Sequence, residues 1–103
     1  MNKISKDNFR DVIASSKPVV VDFWAQWCSP CRMLSPIMDE LSEEMKDKVD
    51  IYKCDVDELP DIAASFNVRS IPTLILFKNS DIVDISTGAA SKATVKEWIE
   101  SKI

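Results

Sequence analysis

Residues 19 to 24 read VVVDFW, five apolar residues around one carboxylate. A β-strand covered on both faces buries such a run whole, so this segment is the expected central strand of a sheet with helices on either side. The flanking pattern agrees. Ser5 followed by KDNFRDVIAS predicts an N-cap and a short amphipathic helix with Phe9, Val12 and Ile13 on one face. From about Ser29 to Met45, the apolar residues Leu34, Ile37, Met38, Leu41 and Met45 recur at helical spacing, which predicts the longest helix, with a kink at Pro36. Asp50 to Val56 reads as a second strand, and ELPDIAASF as a short helix with Pro60 in its first turn.

The pattern then changes. Thr73 to Lys78 and Asp81 to Ser86, joined by Asn79-Ser80, predict a β-hairpin, and Ser91 caps a final helix running towards Lys102. A β/α first half and a ββα second half predict an α/β fold with a central mixed sheet flanked by helices on both faces. The chain has 103 residues, 46% of them hydrophobic, which suits one domain over residues 1–103. Gly88 is the only glycine, so turns must rely on Pro, Asn, Asp and Ser.

Charge and composition exclude several functions. Thirteen basic against 17 acidic residues, with no basic block, makes nucleic acid a poor partner. No stretch is apolar enough for a membrane span, and MNKISKDNFRDVIASS lacks the apolar core of a signal peptide, so a cytoplasmic, membrane-free protein is expected. The absence of histidine excludes Cys-His nucleophiles, Ser-His-Asp triads and Cys/His zinc sites. Protons must therefore move through a carboxylate, lysine, thiol or water.

Three cysteines, without an export signal, argue against a disulfide framework and towards catalysis or metal binding. Two of them stand in WCSPC, as Cys28 and Cys31. A zinc site needs four ligands and would find only Cys54 besides this pair. Both cysteines as inert core residues is the plain alternative. The redox reading rests on geometry: residues three apart at the mouth of a helix lie close enough to open and close a disulfide with little backbone movement. The first meets the free amides and positive end of the helix, which favour thiolate, and the second lies one turn deeper. Asp22, inside the apolar strand, is costly to bury charged, which would raise its pKa towards the range useful for proton transfer; a solvent-facing or hydrogen-bonded Asp22 is the alternative.

WCSPC, the preceding VVVDFWA, the later IPT and the order of elements together resemble the thioredoxin family over essentially the whole chain. The resemblance implies a single thioredoxin domain and a thiol-disulfide oxidoreductase that reduces disulfides in cytoplasmic proteins through a reversible Cys28-Cys31 couple. It implies protein disulfides and a thioredoxin reductase as partners, a monomer, and no metal or organic cofactor. Cys28 and Cys31 match the attacking and resolving cysteines, Asp22 the buried acid beneath them, and Lys53 the lysine beside that acid. Trp27 matches the flanking tryptophan, and Ser29 and Pro30 fill the positions between the cysteines. Ile71-Pro72 matches the family's cis-proline step, although the sequence itself supports only a turn there. Ile71, Gly88 and Ala89 resemble the apolar rim that docks partner proteins. Trp24 reads as packing, and Cys54 as a small core hydrophobe. An oxidase or isomerase on the same fold, a glutathione-dependent enzyme and a pure binding module are the rival functions.

The chain departs from the family where glycines are common, with Ser29, Asn67, Ser70 and Ser80 in their place. Ser29 stands at the helix start, where its hydroxyl can donate to the Cys28 thiolate and stabilise the reduced form. One such bond contributes about 0.5 to 1.5 kcal/mol, or on the order of 10 to 30 mV for two electrons. Ser29→Gly is accordingly expected to lower the reduction potential by that amount, read by equilibration against a glutathione couple. A potential that rises or stays put removes the hydroxyl from the tuning of the pair.

Overall fold

The computed structural model describes residues Met1–Ile103. Five strands form one mixed sheet: β1 (Asn2–Lys3), β2 (Val19–Trp24), β3 (Asp50–Asp55), β4 (Thr73–Lys78) and β5 (Asp81–Thr87), in the order β1-β3-β2-β4-β5. β1, β3 and β2 run parallel, while β4 is antiparallel to β2 and β5 to β4. Four helices, α1 (Phe9–Ile13), α2 (Ser29–Glu44), α3 (Pro60–Ser65) and α4 (Lys92–Lys102), complete the chain. This is the expected α/β architecture, with β2 in the middle of the sheet.

The period-two alternation of a strand sends successive β2 side chains to opposite faces. Val19, Val21 and Phe23 pack with Ile13, Ile62, Ala63, Ile75 and Phe77 on the face covered by α1 and α3. Val20 packs with Leu34, Met38 and Leu41 of α2 and Val95 and Ile99 of α4 on the other. Val19, Val20, Val21 and Phe23 are each at most 2% exposed. Burial of each contributes about 1.5–3 kcal/mol, so the four together outweigh the few kcal/mol that one buried carboxyl in the same strand costs.

Boundaries differ from the sequence expectation where local bonding competes with periodicity. β1 was not expected; at two residues it is too short to carry an alternation, and it exists through its pairing with Tyr52 and Lys53. α1 begins at Phe9, because Ser5 and Asn8 cap each other first: the Ser5 amide donates to Asn8 Oδ1 at 2.8 Å and the Asn8 amide to Ser5 Oγ at 3.2 Å. α2 runs on through Pro36, which is exposed. Ser91 caps α4 as expected, its hydroxyl accepting from the Thr94 amide at 3.2 Å.

The hairpin turn shows what the scarcity of glycine costs. Asn79 and Ser80 both adopt left-handed conformations, at φ 53° and 69°, and Asn67 does so at φ 57°. Ser29 and Ser70, the other serines at family glycine positions, are not left-handed. The turn is held down by amides that donate to the end of α1 and the residues after it, Asn79 to the Ser15 carbonyl at 2.9 Å and Ser80 to the Ile13 carbonyl at 2.8 Å. Left-handed backbone costs a serine roughly 1–2 kcal/mol, against which glycine loses somewhat under 1 kcal/mol in the unfolded chain. Ser80→Gly is therefore expected to stabilise the fold by about 0.5–1 kcal/mol, measured as a rise in the urea midpoint at unchanged slope.

Candidate active site

β2 ends at Trp24, and the chain turns over Ala25 to Cys28 before α2 starts, placing the cysteine pair just beyond the carboxyl end of the central strand. The Cys28 amide closes this turn on the Ala25 carbonyl at 3.2 Å. Cys28 is the N-cap of α2, with extended backbone (φ −87°, ψ 107°), and its sulfur accepts the Cys31 amide at 3.2 Å. A sulfur thus takes the place of the usual capping hydroxyl or carboxylate. Pro30 follows Ser29 in the first turn and carries no N–H, so it leaves the Cys31 amide to bond the sulfur. Cys28 and Cys31 form a disulfide with Cα atoms 5.2 Å apart, within the range such a bridge needs. Both are buried, Cys31 more deeply at 1% against 5%. Ser29 and Pro30 are exposed, and the Ser29 hydroxyl makes no hydrogen bond within the protein while the disulfide is closed.

The rim is assembled from segments far apart in sequence. Cys28 Sγ lies 3.9 Å from the Ile71 carbonyl oxygen, and Ile71 packs against the cluster of Ala25, Cys28 and Cys31. The Ile71-Pro72 bond is cis, and Pro72 is buried. Gly88 donates its amide to the Pro72 carbonyl at 2.8 Å, which brings Gly88 and the exposed Ala89 beside the cis-proline. Gly88 has φ 87°, with nothing within 4 Å of where a Cβ would stand, so backbone conformation and not space calls for glycine. Trp27 is 68% exposed, and its indole N–H donates to Asp57 Oδ2 at 2.9 Å.

Asp22, two residues before the end of β2, is 2% exposed and its Oδ1 has no hydrogen-bond partner in the protein. It occupies the face of β2 covered by α2, in register with Lys53 on β3 and Leu74 on β4. Burial pushes its pKa up to about 7, a rise opposed by the Lys53 ammonium and assisted by Asp39 of α2. The Lys53 ammonium lies over the Trp24 ring, 5.5 Å from its centroid. Cys54 points to the opposite side of the sheet, among Phe23, Ile62 and Ile75, and burial together with Asp55, Glu58 and Asp22 pushes its thiol up to about 12. It stands apart from the redox pair, as its reading as a core hydrophobe expects.

Sequence reasoning missed Asp57, the partner of Trp27, and Arg32, whose guanidinium donates to the Gln26 carbonyl at 2.7 Å and ties the turn to α2. No periodicity links residues 27 and 57. It also passed over the placement of Trp24, although the i, i+2 spacing from Asp22 already puts both on one strand face.

A family model described as Thioredoxin matches residues 1–101. The thioredoxin of Rickettsia felis is 45% identical over 103 residues, covering 99% of this chain and 98% of that protein. The chloroplastic M-type thioredoxin of Pisum sativum is 50% identical over 92 residues, 89% of this chain and 54% of that protein. The crystal structure of Malassezia sympodialis thioredoxin superposes with a TM-score of 0.91 at 38% identity, over 99% of this chain and 90% of that one.

The raised pKa of Asp22 makes stability depend on pH. Between the ordinary carboxyl value of 3.8 and about 7 the unfolded chain has released this proton and the folded chain has kept it, so raising the pH favours unfolding. This contribution to stability is greatest below about pH 4, falls through about pH 7 and is flat above, a total on the order of 4 kcal/mol. Asp22→Asn is expected to lose that dependence. The variant gains on wild type as pH rises from about 4 to 8 in urea titrations, and a difference that does not grow with pH would place the Asp22 pKa near its ordinary value.

Proposed function

The chain belongs to the thioredoxin family and is a thiol-disulfide oxidoreductase that reduces protein disulfides, and we propose the following division of labour among its residues. The observation that carries it is the Cys28-Cys31 disulfide closed across the first turn of α2, with the Cys31 amide on the Cys28 sulfur. In the dithiol state the same amide and the helix N-terminus stabilise negative charge on Cys28, the less buried of the two, which makes it the nucleophile.

The Cys28 thiolate attacks one sulfur of a target disulfide. The new S–S bond joins Cys28 to the target, and the displaced target sulfur leaves as a thiolate. Cys31 then gives its proton to Asp22, through water where the two do not touch, and its thiolate attacks Cys28 Sγ. The second target sulfur leaves, taking up a proton, and the protein is left as the disulfide seen here. A reductase returns two electrons and two protons. An acid with a pKa of about 7 is suited to accept and release this proton near neutrality. Lys53 is the charge that keeps Asp22 from rising further.

Substrate docks on the rim of Trp27, Ser29, Pro30, Ile71, Pro72, Gly88 and Ala89. The Ile71 carbonyl, beside Cys28 Sγ, is the backbone group that pairs with an extended target segment, and the exposed Trp27 flanks it. Residues 1–103 act as one monomeric domain, in the cytoplasm, without nucleic acid, membrane or cofactor. No helix is long and apolar enough to cross a membrane, and the net charge of −4 suits neither nucleic acid nor an anionic membrane surface.

Cys31→Ser is expected to accumulate target proteins as mixed disulfides at Cys28, because attack proceeds and resolution does not. Insulin reduction with dithiothreitol should fall to the uncatalysed rate in a Cys28→Ser variant. Peptide mapping that finds the trapped targets mainly on Cys54 overturns the assignment.

A further inference from the structure

Trp24 follows Asp22 by two positions on β2, on the face covered by α2, and packs against the cluster of Ala25, Cys28 and Cys31. Its indole N–H is buried and has no partner in the protein, so no hydrogen bond accounts for a tryptophan here. Its ring face does make a specific contact. The Lys53 ammonium sits 5.5 Å from the ring centroid, within the distance at which the negative face of an indole attracts a cation. Lys53 is also the register partner of Asp22. A lysine half-buried on a strand has four rotatable bonds and would otherwise extend to water.

We propose that Trp24 is a positioning residue for the proton-handling carboxylate, its ring face holding the Lys53 ammonium beside Asp22. The inference rests on the reading of Asp22 as the group that takes the Cys31 proton, but the placement of Lys53 can be tested separately. The groups bearing on Asp22 are few. Lys53 faces it from β3 and Asp39 acts from α2, while β4 sets the apolar Leu74 opposite and the uncharged Cys54 thiol points away on β3. Lys53 is thus the one cation among them, and its position decides how far the burial of Asp22 is offset.

The test follows the Asp22 side-chain carboxyl by carbon-13 NMR across pH in the full chain. Trp24→Leu frees Lys53 to solvent, and the Asp22 midpoint is expected to rise by about half a pH unit or more. Lys53→Met should raise it as well, and adding Trp24→Leu to Lys53→Met should raise it no further. Trp24→Phe, which keeps an aromatic face and loses the N–H, should restore a midpoint near wild type. A purely structural role gives the opposite sign, since a gap beside Asp22 admits water and lowers its midpoint. A lowered or unmoved midpoint in Trp24→Leu therefore overturns the proposal, and so does a Trp24→Phe midpoint that moves as far as that of Trp24→Leu. Should Trp24→Leu fail to fold, the wild-type protein still decides: Lys53 Hε protons held over an indole are shifted upfield by its ring current, and ordinary Hε shifts sink the clamp. Midpoints that move as expected while the pH profile of Cys31 resolution stays fixed support the clamp and remove the proton role from Asp22.

Discussion

Asp22 stands fourth in a strand whose other members are apolar, and the sheet and two helix layers that bury those residues bury it with them. A carboxyl group in that place is stable only by keeping its proton or by finding a cation. Its pKa of about 7 reflects burial first and the Lys53 ammonium second. The strand withstands the cost because Val19, Val20, Val21 and Phe23 gain more by burial than one protonated carboxyl loses. The same central strand ends where the redox turn begins, so a proton acceptor inside the sheet and a nucleophile at its edge are two consequences of one buried segment.

Helix α2 couples those consequences. Its body covers the Asp22 face of the sheet with Leu34, Met38 and Leu41, while its first turn is closed by the sulfur of Cys28 and not by an oxygen. A cap that is also the reactive atom ties helix stability to redox chemistry, because the Cys31 amide that satisfies the helix end is the donor that favours a thiolate. Pro30 strengthens this arrangement by withholding a competing amide.

The rest of the chain positions a docking surface around that atom. The base of the β4–β5 hairpin brings Ile71, Pro72 and Gly88 to the disulfide, and Asp57 after β3 orients the indole of Trp27. With a single glycine available, the chain spends it at Gly88, next to the site, and leaves the hairpin turn to Asn79 and Ser80 in left-handed backbone. That turn stands at the far end of β4 from Ile71-Pro72, and Asn67 takes the remaining left-handed position outside glycine.

Much of this was legible in the amino-acid order. The apolar run of β2, the helical spacing of Leu34, Met38 and Leu41, Ser91 as an N-cap and the Asn79-Ser80 turn are set by local chemistry, and each element formed close to where periodicity placed it. The pairing of Cys28 with Cys31 was equally local, since three residues at a helix mouth bring the sulfurs together whatever the remainder does. Tertiary structure alone decided the matters that depend on distant segments. The cis form of Ile71-Pro72, the meeting of Trp27 with Asp57, the two-residue β1 and the seat of Lys53 on Trp24 all require parts of the chain that no period relates. Asp22 belongs to both: its sequence neighbours foretold burial, and burial is the main cause of its hold on a proton, but how far a lysine from β3 weakens that hold and an aspartate from α2 strengthens it was settled by the tertiary structure, because electrostatic energy follows distance in space and not separation along the chain.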